Sequence, residues 1–211
     1  MASLSLHPNE HDYQAGKSVE TALLRLVVWV KKAMDQQETA LAVFLDIEGV
    51  FNNTSYDSMC AALFKHGVAY TILWWIRATL EGCMAAVTLG GFSKRVAVSR
   101  VCSHGGMLLP LLWCLVVDGL IARLTGGGIY TQGCVDGICL LAVGKFPNTV
   151  SGLIQWALHI AETWYGEVGL LVNPDNTGLI VFTRKMNSLV FLHHTFLGLF
   201  YVAVCWSSIS G

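Results

Sequence analysis

The spacing of hydrophobic and polar residues predicts a chain of mixed helices and strands. Helical spacing is clearest over residues 150–168, and Ser18 can cap an earlier helix that runs to about Met34. Ala40–Ile47 is a short continuous apolar run, which is typical of a strand buried on both faces. Further helices are predicted at Tyr56–Lys65, Thr71–Glu81 and Leu108–Leu124, hairpins around Gly90-Gly91 and within Ile129–Val143, and a strand at Leu179–Thr183.

The order of these elements predicts an α+β fold, with an antiparallel sheet that carries helices on one face. An Asn-Pro-Asp turn, Asn173–Asp175, comes before the strand at 179–183. The tail from Phe191 onward has the composition of one or two strands, and the pattern does not place it in the sheet.

Composition changes this picture by showing a shortage of surface charge. Charged residues make up 13% of the chain and hydrophobic residues 54%, against usual values of roughly 25% and 45–50%. The formal net charge of −1 argues against strong nonspecific binding to nucleic-acid phosphates, which depends on cationic side chains. The apolar excess predicts low solubility, a partner surface that is missing, or both.

The sequence does not predict a membrane span, a signal peptide, or a cysteine-based disulfide framework or zinc site. The longest clean apolar run, Met107–Val117, is shorter than the roughly 20 residues that cross a bilayer, so no membrane span is predicted. The first residues lack the basic end and apolar core of a signal peptide, so we expect a nuclear or cytoplasmic location and no secretion. The seven cysteines form no C-x-x-C pair, which favours free core thiols over a disulfide framework or a zinc site.

Two aspartates occupy similar places in the pattern. Asp46 ends the buried strand, and Asp136 lies near the tip of the second predicted hairpin. If the two strands are neighbours, the carboxylates converge, and such a pair requires a cation or a raised pKa. Oxygen ligands of this kind select Mg²⁺, which supports phosphoryl transfer. The alternative is that both acids are ordinary turn or cap residues, which are common at strand ends.

Five ordered segments also resemble the reverse transcriptase of insect non-LTR retrotransposons, from about Gly16 to about Lys185. The segment before the palm (usually RPGKST) is matched by AGKSVETAL, and motif A by VFLDIEGVFNN. Motif B (PQGG, then LSPLLW) is matched by CSHGGMLLPLLWCLVVDGL, motif C (YADD) by YTQGCVDGICLLAVG, and motif D by GLLVNPDNTGLIVFTRK. The tripeptide FLG at 196–198 is similar to motif E, after a short gap.

The resemblance implies an RNA-directed DNA polymerase that extends a DNA primer on an RNA template with dNTPs. It places Asp46 and Asp136 as catalytic ligands of Mg²⁺ (or Mn²⁺), and Phe51 as the residue that screens the nucleotide sugar. It also implies that His104 and Gly105 lie under the template and incoming nucleotide. Lys17 is implied to hold a phosphate; an independent phosphate loop is not indicated, because its required first glycine is His11 here.

The departures from the family fall at working positions. Gly137 stands where motif C has its second acid, and Asn176 where motif D has the lysine that protonates pyrophosphate. Loss of a general acid typically costs about 10²–10⁴-fold in rate. We therefore expect very weak or absent activity, which Gly137→Asp and Asn176→Lys should raise. Ser103 and Asn52 also replace usual residues of motif B and motif A.

The resemblance divides the chain into three parts. Residues 1–39 are expected to form partial fingers and an entry helix, 40–185 a palm-like core, and 186–211 a palm-end remnant or irregular tail. A competing hypothesis is a non-catalytic protein whose apolar surface binds a small apolar ligand or a partner protein. In that case binding would be unaffected by Asp46→Ala and Asp136→Ala.

Overall fold

The computed structural model of the protein describes residues 6–11, 13–82, 84–97, 108–134, 137–184 and 200–205. The helices are α1 (Val19–Asp35), α2 (Val50–Asn53), α3 (Tyr56–Lys65), α4 (Tyr70–Glu81), α5 (Leu108–Gly126) and α6 (Pro147–Val168), and a 3₁₀ turn spans Pro174–Asn176. The strands are β1 (Thr39–Glu48), β2 (Met84–Leu89), β3 (Phe92–Ala97), β4 (Tyr130–Cys134), β5 (Gly137–Gly144), β6 (Leu171–Val172), β7 (Gly178–Thr183) and β8 (Phe200–Cys205).

The main sheet is built around β1, the most apolar strand predicted from the sequence. Its strand order is β4-β5-β1-β7-β8, and the short β6 pairs with the end of β1. Strands β5 and β7 both run antiparallel to β1, whereas β8 runs parallel to β7. β1 is thus an inner strand, and its side chains are buried in cores on both faces of the sheet, which explains its nearly continuous run of buried residues.

Helices cover the two faces of this sheet unequally. Leu41, Val43 and Leu45 of β1 belong to the large core that includes α3, α5 and α6. Ala40 and Ala42 point to the opposite face, where Leu26 and the rest of the buried side of α1 form a smaller core. The helices α3, α5 and α6 thus pack on one face of the sheet, as predicted, while α1 covers part of the other face.

Helix α5 is the central helix of the larger core. The helix has 19 residues, an 18-residue window of it has a mean hydropathy of 1.8, and it is long and apolar enough to cross a membrane by those two criteria alone. The length argument made from Met107–Val117 therefore does not exclude a span, since the helix continues through Asp118 to Gly126. Its burial against the sheet and the neighbouring helices accounts for the apolar composition, because a helix that is hydrophobic all round is typical of a protein core.

The described residues before α1, 6–11 and 13–17, form an N-terminal strap across the edge of β4. The Gly133 amide donates to the Asn9 carbonyl at 3.2 Å, and the His11 amide donates to the Gly133 carbonyl at 3.1 Å. The His7 amide donates to Asp118 Oδ1 of α5 at 2.6 Å. The strap therefore satisfies backbone groups on an edge strand that would otherwise be open.

Most predicted elements lie where the pattern indicates. Ser18 and Thr21 form a capping box at the start of α1, as the serine predicts. Helix α3 has the predicted bounds, and the tail contributes one strand, β8, to the described residues. The two short elements α2 and β6 were not predicted, because four and two residues give no readable period. Among the described residues, Cys60, Cys114 and Cys139 are buried, Cys134 is half-buried, and these four cysteines form no disulfide.

Candidate active site

Asp46 lies where three neighbouring segments of the sheet meet. It lies near the end of β1, on the same face of the sheet as Ala40 and Ala42 but beyond the part of that face that α1 covers. Its side chain is half-buried. On one side β5 begins with Gly137 directly opposite Asp46 in the antiparallel register. On the other side the chain turns from β6 through the 3₁₀ turn into β7. Strand pairing therefore presents the Asp46 carboxylate at the junction of the segments that resemble motifs A, C and D.

The second predicted acid belongs to the turn between β4 and β5. Cys134 and Gly137 pair with each other as the last residues of the hairpin arms. The β5 arm also pairs with β1, so the condition for the two acids to converge, that their strands are neighbours, is met. Asp136 itself lies outside the described residues, and its role remains a prediction. What the hairpin fixes is that Gly137, the next residue along the chain, is the cross-strand neighbour of Asp46.

A turn of five residues, Asn173–Thr177, is bound to Asp46 by four hydrogen bonds. The side-chain amides of Asn173 and Asn176 donate to Asp46 Oδ2 at 3.1 and 3.0 Å. The Asn173 backbone amide donates to the Asp46 carbonyl at 2.9 Å, and the Asp46 amide donates to Thr177 Oγ1 at 3.3 Å. The carboxylate is thus held in one orientation by neutral donors, which are the ordinary partners of a ligating carboxylate.

Asn173 and Thr177 were not identified from the sequence, and Asn176 was noted only as a missing lysine. Their contacts with Asp46 span 127 to 131 positions of the chain. The one local signal was the resemblance of Gly169–Lys185 to motif D. Hydrogen bonding by particular side chains in that segment has no periodic signature in the sequence.

The glycine of the motif C hairpin is not required by the backbone. Gly137 has no positive φ, so an L-residue fits its conformation. A Cβ built there would lie 3.4 Å from the Cys134 carbonyl oxygen and 3.8 Å from that of Leu45, which are ordinary contacts. The strand therefore accepts a Cβ at this position, and its backbone does not require glycine.

Lys17 is placed differently from the phosphate contact that the resemblance implies. Its ammonium donates to the backbone carbonyls of Pro8 at 2.8 Å and of Glu10 at 2.7 Å, and so ties the N-terminal strap together. Partial burial lowers the pKa of Lys17, and nearby Arg25 adds to the effect, whereas Glu10 opposes it. Phosphate binding by Lys17 remains a prediction that would require these two bonds to be exchanged.

The remaining site residues are placed only in part. Phe51 falls in α2, the single helical turn that follows β1 after Gly49, and its side chain lies outside the described residues. His104 and Gly105 also lie outside them. The implied positions of these three residues around a nucleotide therefore stay predictions.

The donor set around Asp46 fits a hard divalent cation better than a soft one. Asp46 supplies carboxylate oxygen, the ligand element that Mg²⁺ prefers, while Asn173 and Asn176 present their side-chain nitrogens to it as hydrogen-bond donors. Within the described part of the chain, no three His, Cys, Asp or Glu side chains cluster in a way that could hold a metal ion. A cation at Asp46 would therefore need other kinds of ligand, such as amide or backbone oxygens, or acidic residues outside the described ranges.

Comparison with known sequences gives one family over nearly the whole chain. Residues 2–196 match the family described as reverse transcriptase (RNA-dependent DNA polymerase). The chain is 25% identical over 171 residues to a 115 kDa protein of the type-1 retrotransposable element R1DM of Drosophila melanogaster, covering 80% of this chain and 16% of that protein. It is 26% identical over 125 residues to a retrovirus-related Pol polyprotein of element R2 from Popillia japonica, covering 58% and 18%.

Comparison with solved structures shows the same type of fold. Apo telomerase from Candida tropicalis superposes with a TM-score of 0.60 at 9% identity, covering 81% of this chain and 36% of the telomerase. Telomerase from Candida albicans, solved with a fragment of telomeric RNA, gives 0.59 at 10% identity, covering 81% and 31%. At these identities the likeness establishes the fold alone, and it confirms the predicted α+β palm.

Proposed function

The chain belongs to the reverse transcriptase (RNA-dependent DNA polymerase) family, and from this premise we propose that its Asp46 site is built for RNA-templated extension of a DNA primer. It is the reverse transcriptase domain of an insect-type non-LTR retrotransposon by its relatives. The chain spans 16–20% of the length of these relatives. The activity, template, primer and dNTP substrates of the longer proteins are therefore proposals for this chain.

One structural relationship supports the proposal most directly. Asp46 and the first residue of β5 are register partners, so the motif A acid lies against the motif C hairpin. Family membership implies dependence on a divalent metal. We assign its binding to Asp46 and, by resemblance, Asp136, with Mg²⁺ or Mn²⁺ as the ion. When bound, such a cation stabilises the attacking and leaving oxygens of phosphoryl transfer.

The chain's own residues would then divide the work. Asp46 is oriented for its role by the Asn173 and Asn176 amides. Phe51, by resemblance, screens the sugar of the incoming nucleotide from the turn after β1. His104 and Gly105, by resemblance, support the template and nucleotide from the motif B segment.

Weak activity is part of the proposal. Gly137 supplies no carboxylate beside Asp46, and Asn176 cannot donate a proton to pyrophosphate as a lysine ammonium does. The near-neutral net charge also gives little electrostatic attraction for a primer and template. These three features act on metal binding, chemistry and substrate binding respectively.

Primer extension on an RNA template, with Mg²⁺ or Mn²⁺, tests the proposal. We expect slow dNTP incorporation that Asp46→Asn abolishes, in the natural chain or, with a larger signal, in a Gly137→Asp background. Asn148→Asp, an exposed change just beyond the opposite end of β5, serves as a control. Synthesis that survives Asp46→Asn in both backgrounds would contradict the assignment of Asp46.

A second candidate function, non-catalytic binding of an apolar ligand or protein, has a separate observation in its favour. A groove of about 710 Å³ runs between α1 and the β4–β5 hairpin, and it is lined by Leu24, Val28, Trp29 and Tyr130. Much of the apolar surface of α1 is exposed beside it. Saturable binding of an apolar ligand that Val28→Asp abolishes and Asp46→Ala does not would favour this function.

A further inference from the structure

The amides that bind Asp46 differ in how firmly they are oriented. The Oδ1 atom of Asn173 accepts the Asp175 backbone amide at 3.2 Å, so its Nδ2 must point to Asp46. Asn176 is exposed, and its hydrogen bond in the site is the one from Nδ2 to Asp46 Oδ2. Rotation of its terminal torsion by about 180° exchanges Nδ2 with Oδ1 at low cost, because that torsion is broad and roughly two-fold.

The distance from Asn176 to Asp46 suits a shared cation. Mg²⁺ holds its oxygen ligands at about 2.0–2.1 Å in an octahedron, which places adjacent ligand oxygens about 2.9 Å apart. The Asn176 amide atom lies 3.0 Å from Asp46 Oδ2. After rotation, the distance between Asn176 Oδ1 and Asp46 Oδ2 would match that between two neighbouring oxygen ligands of one ion.

We propose that Asn176 is itself a metal ligand, whose amide oxygen turns toward a divalent cation bound at Asp46. The inference rests on the proposed function, since it adds a ligand to that same site. Asn173 stays a hydrogen-bond donor that holds the carboxylate. The amide oxygen partly replaces the carboxylate that is missing at Gly137, but it carries no charge, so the cation is bound more weakly than by two acids.

Mn²⁺ binding to the full chain, followed by the electron paramagnetic resonance signal of the free ion, tests this assignment. Asn176→Ala removes the ligand and should weaken Mn²⁺ binding on the order of ten-fold or more, as changes at the supporting shell of metal sites do. Asn176→Asp supplies a charged oxygen at the same place and should tighten binding on the order of ten-fold. Asn148→Asp adds the same charge elsewhere on the surface and should leave the dissociation constant unchanged.

The outcomes separate this inference from the function on which it rests. If Asp46→Asn abolishes Mn²⁺ binding while both Asn176 variants bind as the natural chain does, the ligand role is overturned and the proposed site stands. If Asn176→Ala binds Mn²⁺ more tightly, the Asn176 amide competes with the ion for the Asp46 carboxylate, and the ligand role is also overturned. If Asp46→Asn leaves Mn²⁺ binding unchanged, or the natural chain binds none, both proposals fail.

Folding does not obscure the result. Asn176 is exposed, so neither variant disturbs the core. Circular dichroism confirms the fold of each variant, and the two variants are expected to move affinity in opposite directions. A folded sample of either one therefore suffices to support or overturn the assignment.

Discussion

Gly137 of β5 lies directly opposite Asp46 of β1 in the antiparallel register. Side chains at directly opposed positions lie on the same face of a sheet, with Cβ atoms about 4.5–5.5 Å apart. An acid at position 137 would therefore stand beside Asp46, on the face where the Asn173–Thr177 turn also contacts it. The residue that departs from motif C is thus located at the candidate site itself, not at its periphery.

Gly137→Asp should strengthen metal binding and raise primer extension, both on the order of ten-fold or more, because it adds a carboxylate opposite Asp46 at a position where a Cβ makes only ordinary contacts. The measurements are Mn²⁺ affinity and the rate of dNTP incorporation. Gly137→Asn has nearly the same shape without the charge, and we expect it to give a clearly smaller gain. Equal effects from the two variants would show that charge beside Asp46 is not what the site lacks.

Asn176→Lys should depend on what stands at position 137. Alone, it places an ammonium in place of an amide 3.0 Å from Asp46 Oδ2, and repulsion should weaken Mn²⁺ binding. In a Gly137→Asp background the second carboxylate retains the ion, and the lysine can act as a general acid worth about 10²–10⁴-fold. Incorporation rates of the four chains form a double-mutant cycle, and simple additivity would contradict this coupling.

Much of the fold was predictable because burial leaves a periodic trace. The apolar run of β1, the serine before α1 and the helical spacing of α6 each depend on residues that are close in sequence. The face of the sheet that α1 covers was not predictable. The apolar spacing of α1 shows that one side of the helix is buried, but it does not show which surface that side packs against. The parallel pairing of β8 with β7 likewise leaves no trace in the order of elements.

Within the described residues, Asp46 is the part of the candidate site that the sequence indicated. Asp46 stands out as a charge at the end of a buried strand, which is costly unless the charge is used. Its amide partners are typical turn residues, and Asn and Thr in a turn are explained locally without any distant contact. Only the register of β1 with β5 and β7 brings the two sets together.

Thr177→Val tests how far the turn supports the site. Thr177 is buried, accepts from the Asp46 amide at 3.3 Å, and donates to the Asn173 carbonyl at 2.7 Å. Valine preserves the shape but removes a hydrogen-bond partner from two half-buried backbone groups, so the free energy of unfolding should fall by about 1–3 kcal/mol. Thr163→Val removes a similar side-chain bond on an exposed helix surface and should change stability by less than about 0.5 kcal/mol. Urea unfolding measures both, and similar losses would argue against a special role for this turn.

Gly133→Ala tests the contact between the N-terminal strap and β4. A Cβ at Gly133 would lie 2.6 Å from Oε2 of the buried Glu10, so that carboxylate would have to move. The expected cost is about 1–3 kcal/mol, as for other overpacked sites. Gly166→Ala, in open space on α6, should instead stabilise by up to about 1 kcal/mol. Addition of Glu10→Ala should make the combined loss smaller than the sum of the two single losses; strict additivity would contradict the clash.

The same strap should make stability fall in acid. Burial lowers the pKa of His11, and the positive charges of Arg25 and Lys17 lower it further. His11 Nδ1 pairs with Thr21 Oγ1 at 3.2 Å, while its buried Nε2 has no hydrogen-bond partner among the described residues. Protonation in the folded chain would therefore place an unpaired charge in a closed space. A histidine whose pKa is below its unfolded value of about 6.5 gives a stabilisation that is complete above that pH and is lost as the pH falls.

The midpoint of thermal unfolding should accordingly decrease between pH 7.5 and pH 5.0, and the decrease should be smaller in His11→Gln. Part of the dependence should persist in that variant, because burial also lowers the pKa of His7 in the same strap. His159→Gln, on the exposed side of α6, is the matched control and should leave the pH profile unchanged. If His11→Gln and His159→Gln have the same profile as the natural chain, the strap is not the acid-sensitive element. The dependence of stability on pH would then have to come from other titrating groups. Any such dependence requires that the folded and unfolded chains bind different numbers of protons.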